Sequence, residues 1–393
     1  MASLYGFVRR VYLVFNPPAP KALSESPLRF GILGAAKIAP LGIVWPVKNH
    51  PDAVVEAVAA RDQGRADAFA KRHGIPKAYG GPEAYQRLLD DPEIDVVYNP
   101  LPVAFHYEWT MKALAAGKHV LLEKPSSCTA EETRKMFALA QSKGLTLMEA
   151  FHNRFYPAIL RVKEIVDSGE LGTPTKIEAT FAIPGGLIKD NDIQMIYHLG
   201  GGVMMDMGCY PVAMSRYLAG TEPTKIISAR ADVHPKSPQV DLGTTATLAF
   251  PNPTGSLGPA DGLTATLVAH ARLPKLWGFL PQLPKTFVRV IGTRGTVELS
   301  NFLVPWLHHT ITVESSEEVG GPLRKRTEKQ YGNLGYRYQL EAFIDKLRGR
   351  NPENWIDAQD SIANLEWVEA IYKETGLGSR PASTAEVPQT TTG

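Results

Sequence analysis

The sequence predicts an α/β protein in two parts: an N-terminal domain on a parallel sheet, then a C-terminal α/β domain on a largely antiparallel, open sheet. Three observations carry this. Between Leu28 and His152, short apolar runs alternate with segments of helical spacing, the pattern of parallel strands covered on both faces. Beyond about residue 155, β-like stretches follow one another with few helices between them, which favours antiparallel pairing. The 393 residues suggest two or three domains, and 44% hydrophobic with 21% charged residues excludes a disordered chain or a collagen-like fibre.

Residues 1–27 form an extension. Phe7-Val8-Arg9-Arg10-Val11-Tyr12-Leu13-Val14-Phe15 sets two arginines before five apolar residues, too short a block for a secretory core. It is read as a segment packing on the body, with organelle targeting and surface membrane contact as the other options. Asn16-Pro17-Pro18-Ala19-Pro20 reads as a stiff linker, since proline fixes φ and disfavours helix before it.

In the first domain, residues 28–152, strands are predicted at Arg29–Leu33, Ala53–Ala60, Ile94–Tyr98, Lys118–Leu122 and Leu145–Met148. Helices are predicted at Arg65–Arg72, Tyr107–Ala116 and Ala130–Ser142, the last with a capping-box start at Thr129-Ala130-Glu131-Glu132. The second domain, residues 153–375, opens on a helix over Tyr156–Ser168. Strands follow at Lys176–Ala182, Lys225–Val233, Thr244–Phe250, Leu263–Ala271, Thr286–Ile291 and Thr296–Leu299. Pro251–Asp261 reads as a loop, and Arg324-Lys325-Arg326 as a solvated loop. Helices at about Tyr336–Arg348 and Asp357–Lys373 either cover the second sheet or dock back on the first domain. Residues 376–393 form a polar tail, frayed from Ser383 onward.

Gly31-Ile32-Leu33-Gly34-Ala35-Ala36-Lys37-Ile38-Ala39 falls where the first strand meets the first helix of this domain. Counted from Gly34 it reads G-x-A-x-x-A, one methyl from the turn of a Rossmann domain. There the first position makes the bend, the second lets a pyrophosphate approach, and the third packs helix on strand. Gly34, Ala35, Ala36, Lys37 and Ile38 are therefore the candidate phosphate-binding residues, with the N–H groups of the helix start as donors. The second strand ends Ala59-Ala60-Arg61-Asp62. NAD-binding folds usually set a carboxylate there for the ribose 2′-hydroxyl. This chain has Ala60 and then Arg61, whose guanidinium suits a 2′-phosphate. The expected cofactor is NADP rather than NAD, unless Asp62 takes the acidic position through a two-residue shift in register.

Glu123-Lys124-Pro125 closes the fourth predicted strand, at the carboxyl edge where parallel sheets bind ligands. Further motifs appear in order with it and with the glycine-bearing turn. They are Asn99-Pro100-Leu101-Pro102 with His106 following, Ala116-Gly117-Lys118-His119-Val120-Leu121-Leu122-Glu123-Lys124-Pro125, Glu149-Ala150-Phe151-His152-Asn153-Arg154-Phe155-Tyr156-Pro157, and Gly200-Gly201-Gly202-Val203-Met204-Met205-Asp206-Met207-Gly208-Cys209-Tyr210. Over roughly residues 28–375 the chain resembles the Gfo/Idh/MocA family of nicotinamide-dependent oxidoreductases. Many members end the last motif with histidine. Tyr210 is instead similar to the branch of NADP-dependent D-xylose 1-dehydrogenases and dimeric trans-dihydrodiol dehydrogenases.

The resemblance implies that Lys124 contacts the reacting hydroxyl and the nicotinamide ribose, and that Tyr210 is the general acid/base. Asp206, four residues before Tyr210, would orient the substrate or the tyrosine from the same helical face. Cofactor-side positions are implied for Asn99, Leu101, His106, Glu123 and Arg154. His106 equally suits packing a helix start, and Arg154 equally suits pairing with a carboxylate. His152 and His198 are read as structural or rim residues. The chemistry fits these residue types. Hydride transfer belongs to the cofactor, and the protein moves one hydroxyl proton and holds the geometry. A free phenol titrates near about 10, and a neighbouring ammonium favours the phenolate. The plainer readings are a surface pair of Lys124 with Glu123 and an ordinary half-buried Tyr210. Ile193-Gln194 stands where related sequences often carry Ile-Arg, and the missing arginine argues against an acidic substrate.

The expected activity is reversible NADP-dependent oxidation of a secondary or hemiacetal alcohol. The best substrates are an aldose such as D-xylose, giving a lactone, or a cyclic trans-diol. The alternatives are ketone reduction in a specialised biosynthetic pathway and, in another class, a non-catalytic NADP(H)-binding sensor. With 42 basic against 40 acidic residues, net +2, nothing points to nucleic acid. No apolar run approaches the roughly 18 residues of a membrane span. Cys128 and Cys209 cannot build a disulfide framework or a four-thiolate zinc site, and His308-His309 lack metal-binding spacing, so no metal is expected. The expected partners are a small alcohol or carbonyl and, from the resemblance, further copies of the chain in a homodimer or larger homo-oligomer. The expected location is the cytoplasm, with residues 1–20 leaving organelle targeting open.

Overall fold

The computed structural model describes residues 4–16, 18, 22–251, 262–274, 276–277, 279–280 and 282–387. Pro17, Ala19 and Pro20 of the expected linker, residues 252–261 of the expected loop and residues 388–393 of the expected tail lie outside them. The chain divides into two compact units. One comprises residues 1–155, 333–362 and 382–393, and the other residues 156–332 and 363–381.

The first unit begins with helix α1 (Leu4–Phe15), closed where Asn16 N and Nδ2 both donate to the Tyr12 carbonyl at 2.8 and 3.2 Å. Then come β1 (Leu28–Leu33), a π-helical turn (Pro40–Val44) running into α2 (Trp45–Lys48), β2 (Ala53–Ala60), α3 (Gln63–His73), β3 (Lys77–Gly80), α4 (Ala84–Asp90) and β4 (Val96–Asn99). They are followed by α5 (His106–Ala115), β5 (His119–Glu123), α6 (Ala130–Ser142) and β6 (Leu147–Ala150). The six strands are all parallel, in the order β3-β2-β1-β4-β5-β6. That is the Rossmann order, and it places a change of winding direction between β1 and β4. β4 and β6 are buried along their whole lengths, as strands covered on both faces must be. Leu33, Leu88, Val97, Met111, Leu114, Val120, Leu122 and Met136 form the core on one face.

β3 and α4 were not among the predicted elements. Lys77–Gly80 is four residues at the sheet edge, made a strand only by pairing with β2. Thr129 caps α6 by accepting from Glu132 N, and the Glu132 carboxylate accepts in return from the Thr129 backbone, as the capping box requires, and from Cys128 N as well. Glu132 Oε1 accepts from Ser383 N at 2.6 Å, and Val387 packs on the core cluster. The tail expected to fray from Ser383 is therefore anchored as far as the described residues run.

The second unit holds α7 (Pro157–Asp167), β7 (Pro174–Pro184), α8 (Cys209–Ala219), β8 (Lys225–His234), β9 (Ser237–Ala249), β10 (Thr264–Leu273), β11 (Lys285–Gly292), β12 (Gly295–Ser300), β13 (Thr310–Ser315) and β14 (Arg324–Glu328). Eight strands form one sheet in the order β14-β13-β12-β11-β7-β10-β9-β8. Every neighbouring pair is antiparallel except β10 and β7. The basic triplet read as a solvated loop is corrected here: Arg324, Lys325 and Arg326 lie in the edge strand β14, in register with Ser315, Glu314 and Val313. Each cation has a carboxylate partner, Glu317, Glu314 and Glu170 respectively. A charged edge of this kind also discourages pairing with further strands.

Two late helices complete the chain. α9 (Gly335–Leu347) belongs to the first unit, where Phe343 meets Phe30 with ring centres 6.4 Å apart and Tyr336 stacks on His152 at 4.1 Å. α10 (Ala358–Glu374) starts in the first unit, and its residues from 363 onward belong to the second.

Candidate active site

The first unit gathers the expected cofactor residues at the carboxyl edge of its sheet. Gly34 ends β1 with φ 87°, a conformation that favours glycine, and its N–H donates to the Ala59 carbonyl at 2.7 Å. A Cβ on it would come within 3.1 Å of the Leu101 side chain. Ala35, Ala36 and Ile38 are half-buried and Lys37 is exposed, while Ala39, the third small position of the turn, is fully buried. Gly42 was not anticipated from the sequence. A Cβ there would run into the Tyr98 hydroxyl, which donates to Glu123 Oε1 at 2.6 Å. Glycine at 42 thus lets the π turn lie against the ends of β4 and β5.

At the end of β2, Asp62 accepts from Arg65 N at 2.8 Å as the N-cap of α3. Its Oδ1 serves the helix start, and both Asp62 and Arg61 beside it are exposed. Burial pushes the Tyr85 phenol up, while Arg61 and Arg65 both act on it in the opposite sense. The two guanidiniums therefore share a neighbourhood with Tyr85. Arg65 was missed, although an arginine four residues from Arg61 in a first helical turn was visible as a spacing.

Asn99 is fully buried and works inward. Its Nδ2 donates to Thr110 Oγ1 at 3.1 Å, and its Oδ1 accepts from Leu101 N at 3.3 Å. His106 is also buried. Its Nε2 lies 2.7 Å from the Leu101 carbonyl and its Nδ1 lies 2.9 Å from the Pro125 carbonyl. Burial pulls this imidazole down to about 4. The ring joins the segments after β4 and β5, so the packing role offered for it is one the geometry displays. Glu123 Oε2 accepts from Lys124 N at 3.2 Å, which fixes the backbone that carries the half-buried lysine. Arg154, after β6, donates to Asp360 at 2.9 Å, and its carbonyl accepts from Asn354 at 2.8 Å. The carboxylate pair is one of the two roles offered for it.

The second unit carries Asp206 and Tyr210. Gly200 and Gly202 have φ 80° and 147°, and Gly202 N donates to the Gln194 carbonyl at 2.8 Å. A Cβ on Gly202 would run into Tyr372 Oη and Asp241 Oδ1. Buried Asp241 accepts from Tyr372 Oη, Met204 N and Thr244 Oγ1, each at 2.8 Å. Tyr372 Oη accepts in turn from Met205 N at 3.2 Å. Burial first, then Asp241, pushes this phenol far up, so it keeps its proton. Arg380 lies 4.0 Å from the Tyr372 ring centre and donates to the carbonyls of Gly201 and Gln239 at 2.9 Å.

This clamp holds the start of a π-helical turn, Met204–Gly208, that leads into α8. Asp206 lies in the π turn and Tyr210 in the first turn of α8, so the expected helical face is interrupted by a change of pitch. Tyr210 is buried, with its ring edge-on to Phe181 at 5.8 Å. The Asp241–Tyr372–Arg380 cluster was not legible beforehand, because Asp241 in β9 is far in sequence from Tyr372 and Arg380 near the end of the chain.

A parallel sheet in Rossmann order, a small-residue turn after β1 and an arginine after β2 define a dinucleotide-binding oxidoreductase with a second, mainly antiparallel domain. Residues 28–151 match the model of the oxidoreductase family with an NAD-binding Rossmann fold, GFO_IDH_MocA, and residues 159–298 match that of the GFO/IDH/MocA C-terminal domain. The chain is 32% identical to D-xylose 1-dehydrogenase (NADP(+)) 2 of Haloferax volcanii over 355 residues, 90% of this chain and 98% of the relative. It is also 32% identical to trans-1,2-dihydrobenzene-1,2-diol dehydrogenase of Bos taurus over 358 residues, 89% and 97% of the two chains. Among solved structures, a 3-ketoreductase from Actinomadura kijaniata in complex with NADP and TDP-benzene matches with a TM-score of 0.74 at 25% identity, covering 89% of this chain and 98% of the other. The chain belongs to the Gfo/Idh/MocA oxidoreductase family.

Proposed function

We propose that the protein is an NADP-dependent dehydrogenase that oxidises a secondary or hemiacetal alcohol, an aldose such as D-xylose or a cyclic trans-diol. The residues fit the cofactor. Gly34 occupies a conformation that suits the bend, Ala39 is buried where a small residue is needed, and Asp62 is held in a helix cap, leaving Arg61 and Arg65 to meet a 2′-phosphate. Gly34, Ala35, Ala36, Lys37 and Ile38 would hold the pyrophosphate. Leu101, Glu123 and Arg154 would shape the nicotinamide side, with Asn99 and His106 setting the loop behind them.

When bound, the nicotinamide supplies or accepts the hydride. The protein's part is the proton. Tyr210 would take the hydroxyl proton in oxidation and return it in reduction. Lys124 would stabilise the phenolate and orient the hydroxyl, and Asp206 would orient the substrate or Tyr210. The observation that carries this reading is that each reactive side chain sits at an element end held by dedicated partners. Glu123 fixes the Lys124 backbone, and Asp241 with Tyr372 fixes the turn that feeds Tyr210.

The experiment is a panel of aldoses and trans-diols with NADP, read by absorbance of the reduced nicotinamide. Lys124→Met and Tyr210→Phe should each lower kcat by roughly 10²–10⁴-fold with an unchanged circular dichroism spectrum. Wild-type turnover in either variant ends its assignment. Tight NADP binding with no turnover of any alcohol or ketone would leave the sensor reading. Ketone reduction is the second reading. It is supported by 33% identity over 346 residues to dTDP-3,4-didehydro-2,6-dideoxy-alpha-D-glucose 3-reductase of Streptomyces violaceoruber, and it would use the same residues in the opposite direction.

A further inference from the structure

We infer that α1 is a surface-seeking helix that lays the protein on an anionic phospholipid membrane without crossing it. The sequence Leu4–Phe15 contains Arg9 and Arg10 and no acidic residue. Twelve residues span about 18 Å as a helix, short of the roughly 30 Å hydrocarbon core, and no described helix is long and apolar enough to cross a membrane.

The helix is docked the wrong way round for an ordinary globular packing element. Its inward side is Arg10, Val11 and Val14, with Val14 only 6% exposed. Its outward side is Tyr5, Val8 and Tyr12, which are 76%, 55% and 61% exposed and fall on one stripe by their spacing of three and four. Exposed Arg9 lies on that stripe, and Phe7 and Leu13, each 38% exposed, flank it. A soluble domain normally turns such a stripe to its core.

Chemistry selects the occupant. Tyrosines with an apolar ring and a polar tip, beside a long cationic side chain, match the headgroup layer, where the rings sit among the upper acyl carbons and the guanidinium reaches phosphate. A stripe that carries Arg9 and no carboxylate favours an anionic surface. A second copy of the chain is the weaker occupant, because one face of a 12-residue helix offers far less than the roughly 1,000 Å² that a stable interface needs. None of these residues belongs to the proposed catalytic or cofactor-binding set, so the inference stands apart from the proposed function.

The test is co-sedimentation of the full chain with vesicles of phosphatidylcholine alone and of phosphatidylcholine with 30% phosphatidylserine, a composition of the order found in anionic leaflets. The expected result is a membrane-bound fraction about fivefold larger on the anionic vesicles, lost in high salt. Arg9→Glu and the double variant Tyr5→Ser/Tyr12→Ser should each remove it, with thermal unfolding and NADP binding unchanged. No binding to either vesicle, or equal binding to both, overturns the inference. So does a particle mass that falls when Tyr5 and Tyr12 are replaced, since the stripe would then be an interface between copies.

Discussion

His106 lies between the Leu101 and Pro125 carbonyls, and its burial makes the fold sensitive to acid. Burial lowers the folded imidazole from 6.5 to about 4. Between those values the unfolded chain binds a proton that the folded chain refuses. Unfolding therefore takes up a proton, and stability falls as pH falls from 6.5 to 4, by roughly 3 kcal/mol from this residue. His73 and His119 are lowered by burial too and act in the same direction, whereas Asp91 and Glu328, held near 2 by their partners, give up their contribution as pH falls from the ordinary carboxylate values of 3.8 and 4.5 to about 2. His106→Asn should flatten, without abolishing, the dependence of the urea midpoint on pH between 4 and 6.5. An unchanged slope would mean that the ring is not held neutral. At the cofactor edge, Arg61→Ala should raise the KM for NADP roughly tenfold and leave that for NAD nearly unmoved. A higher kcat/KM for NAD than for NADP in the unaltered protein would reject the phosphate reading. Residue identities at this scale were legible because motifs preserve them. That Asp62 caps a helix was not, since the same letter suits a ribose or a helix start.

At the level of elements, the two π turns carry the argument. One follows the small-residue turn of the first unit and the other precedes Tyr210 in the second, and both depend on glycines at points of close approach, Gly42 and Gly202. Their pitch has no signature in apolar spacing, so neither turn is among the elements the sequence predicts. Tyr372→Phe removes the hydroxyl that donates to Asp241 and accepts from Met205 N. It should cost about 1–3 kcal/mol of stability, measurable by chemical denaturation. If the clamp also sets Tyr210, kcat should fall more than KM changes. Unaltered stability would show that water replaces the hydroxyl without loss. Long apolar strands such as β2 and β7 were read nearly to their ends. β13 and β14 were not, because five or six polar-rich residues become strands only when a neighbour supplies the ladder.

For the whole molecule, the eight-stranded sheet offers a broad surface on which further copies of the chain could pair. Its edge strand β8 leaves Ile227 and Val233 exposed. Self-association through that sheet is the expected outcome. Sedimentation at micromolar concentration should show more than one chain per particle, and Ile227→Glu should shift it toward the monomer. A monomer before substitution would remove the expectation. The two-part architecture was legible from the change in texture near residue 155. The return of residues 333–362 and 382–393 to the first unit was not, since only packing such as Phe343 on Phe30 and Ser383 on Glu132 reveals it. That return has a consequence for biosynthesis. When the ribosome has delivered the first 155 residues, every Rossmann strand is present, yet the faces that await α9 are still bare. The nascent first unit must remain incomplete while nearly two hundred further residues are made, a window in which chaperone capture or premature aggregation would compete with closure.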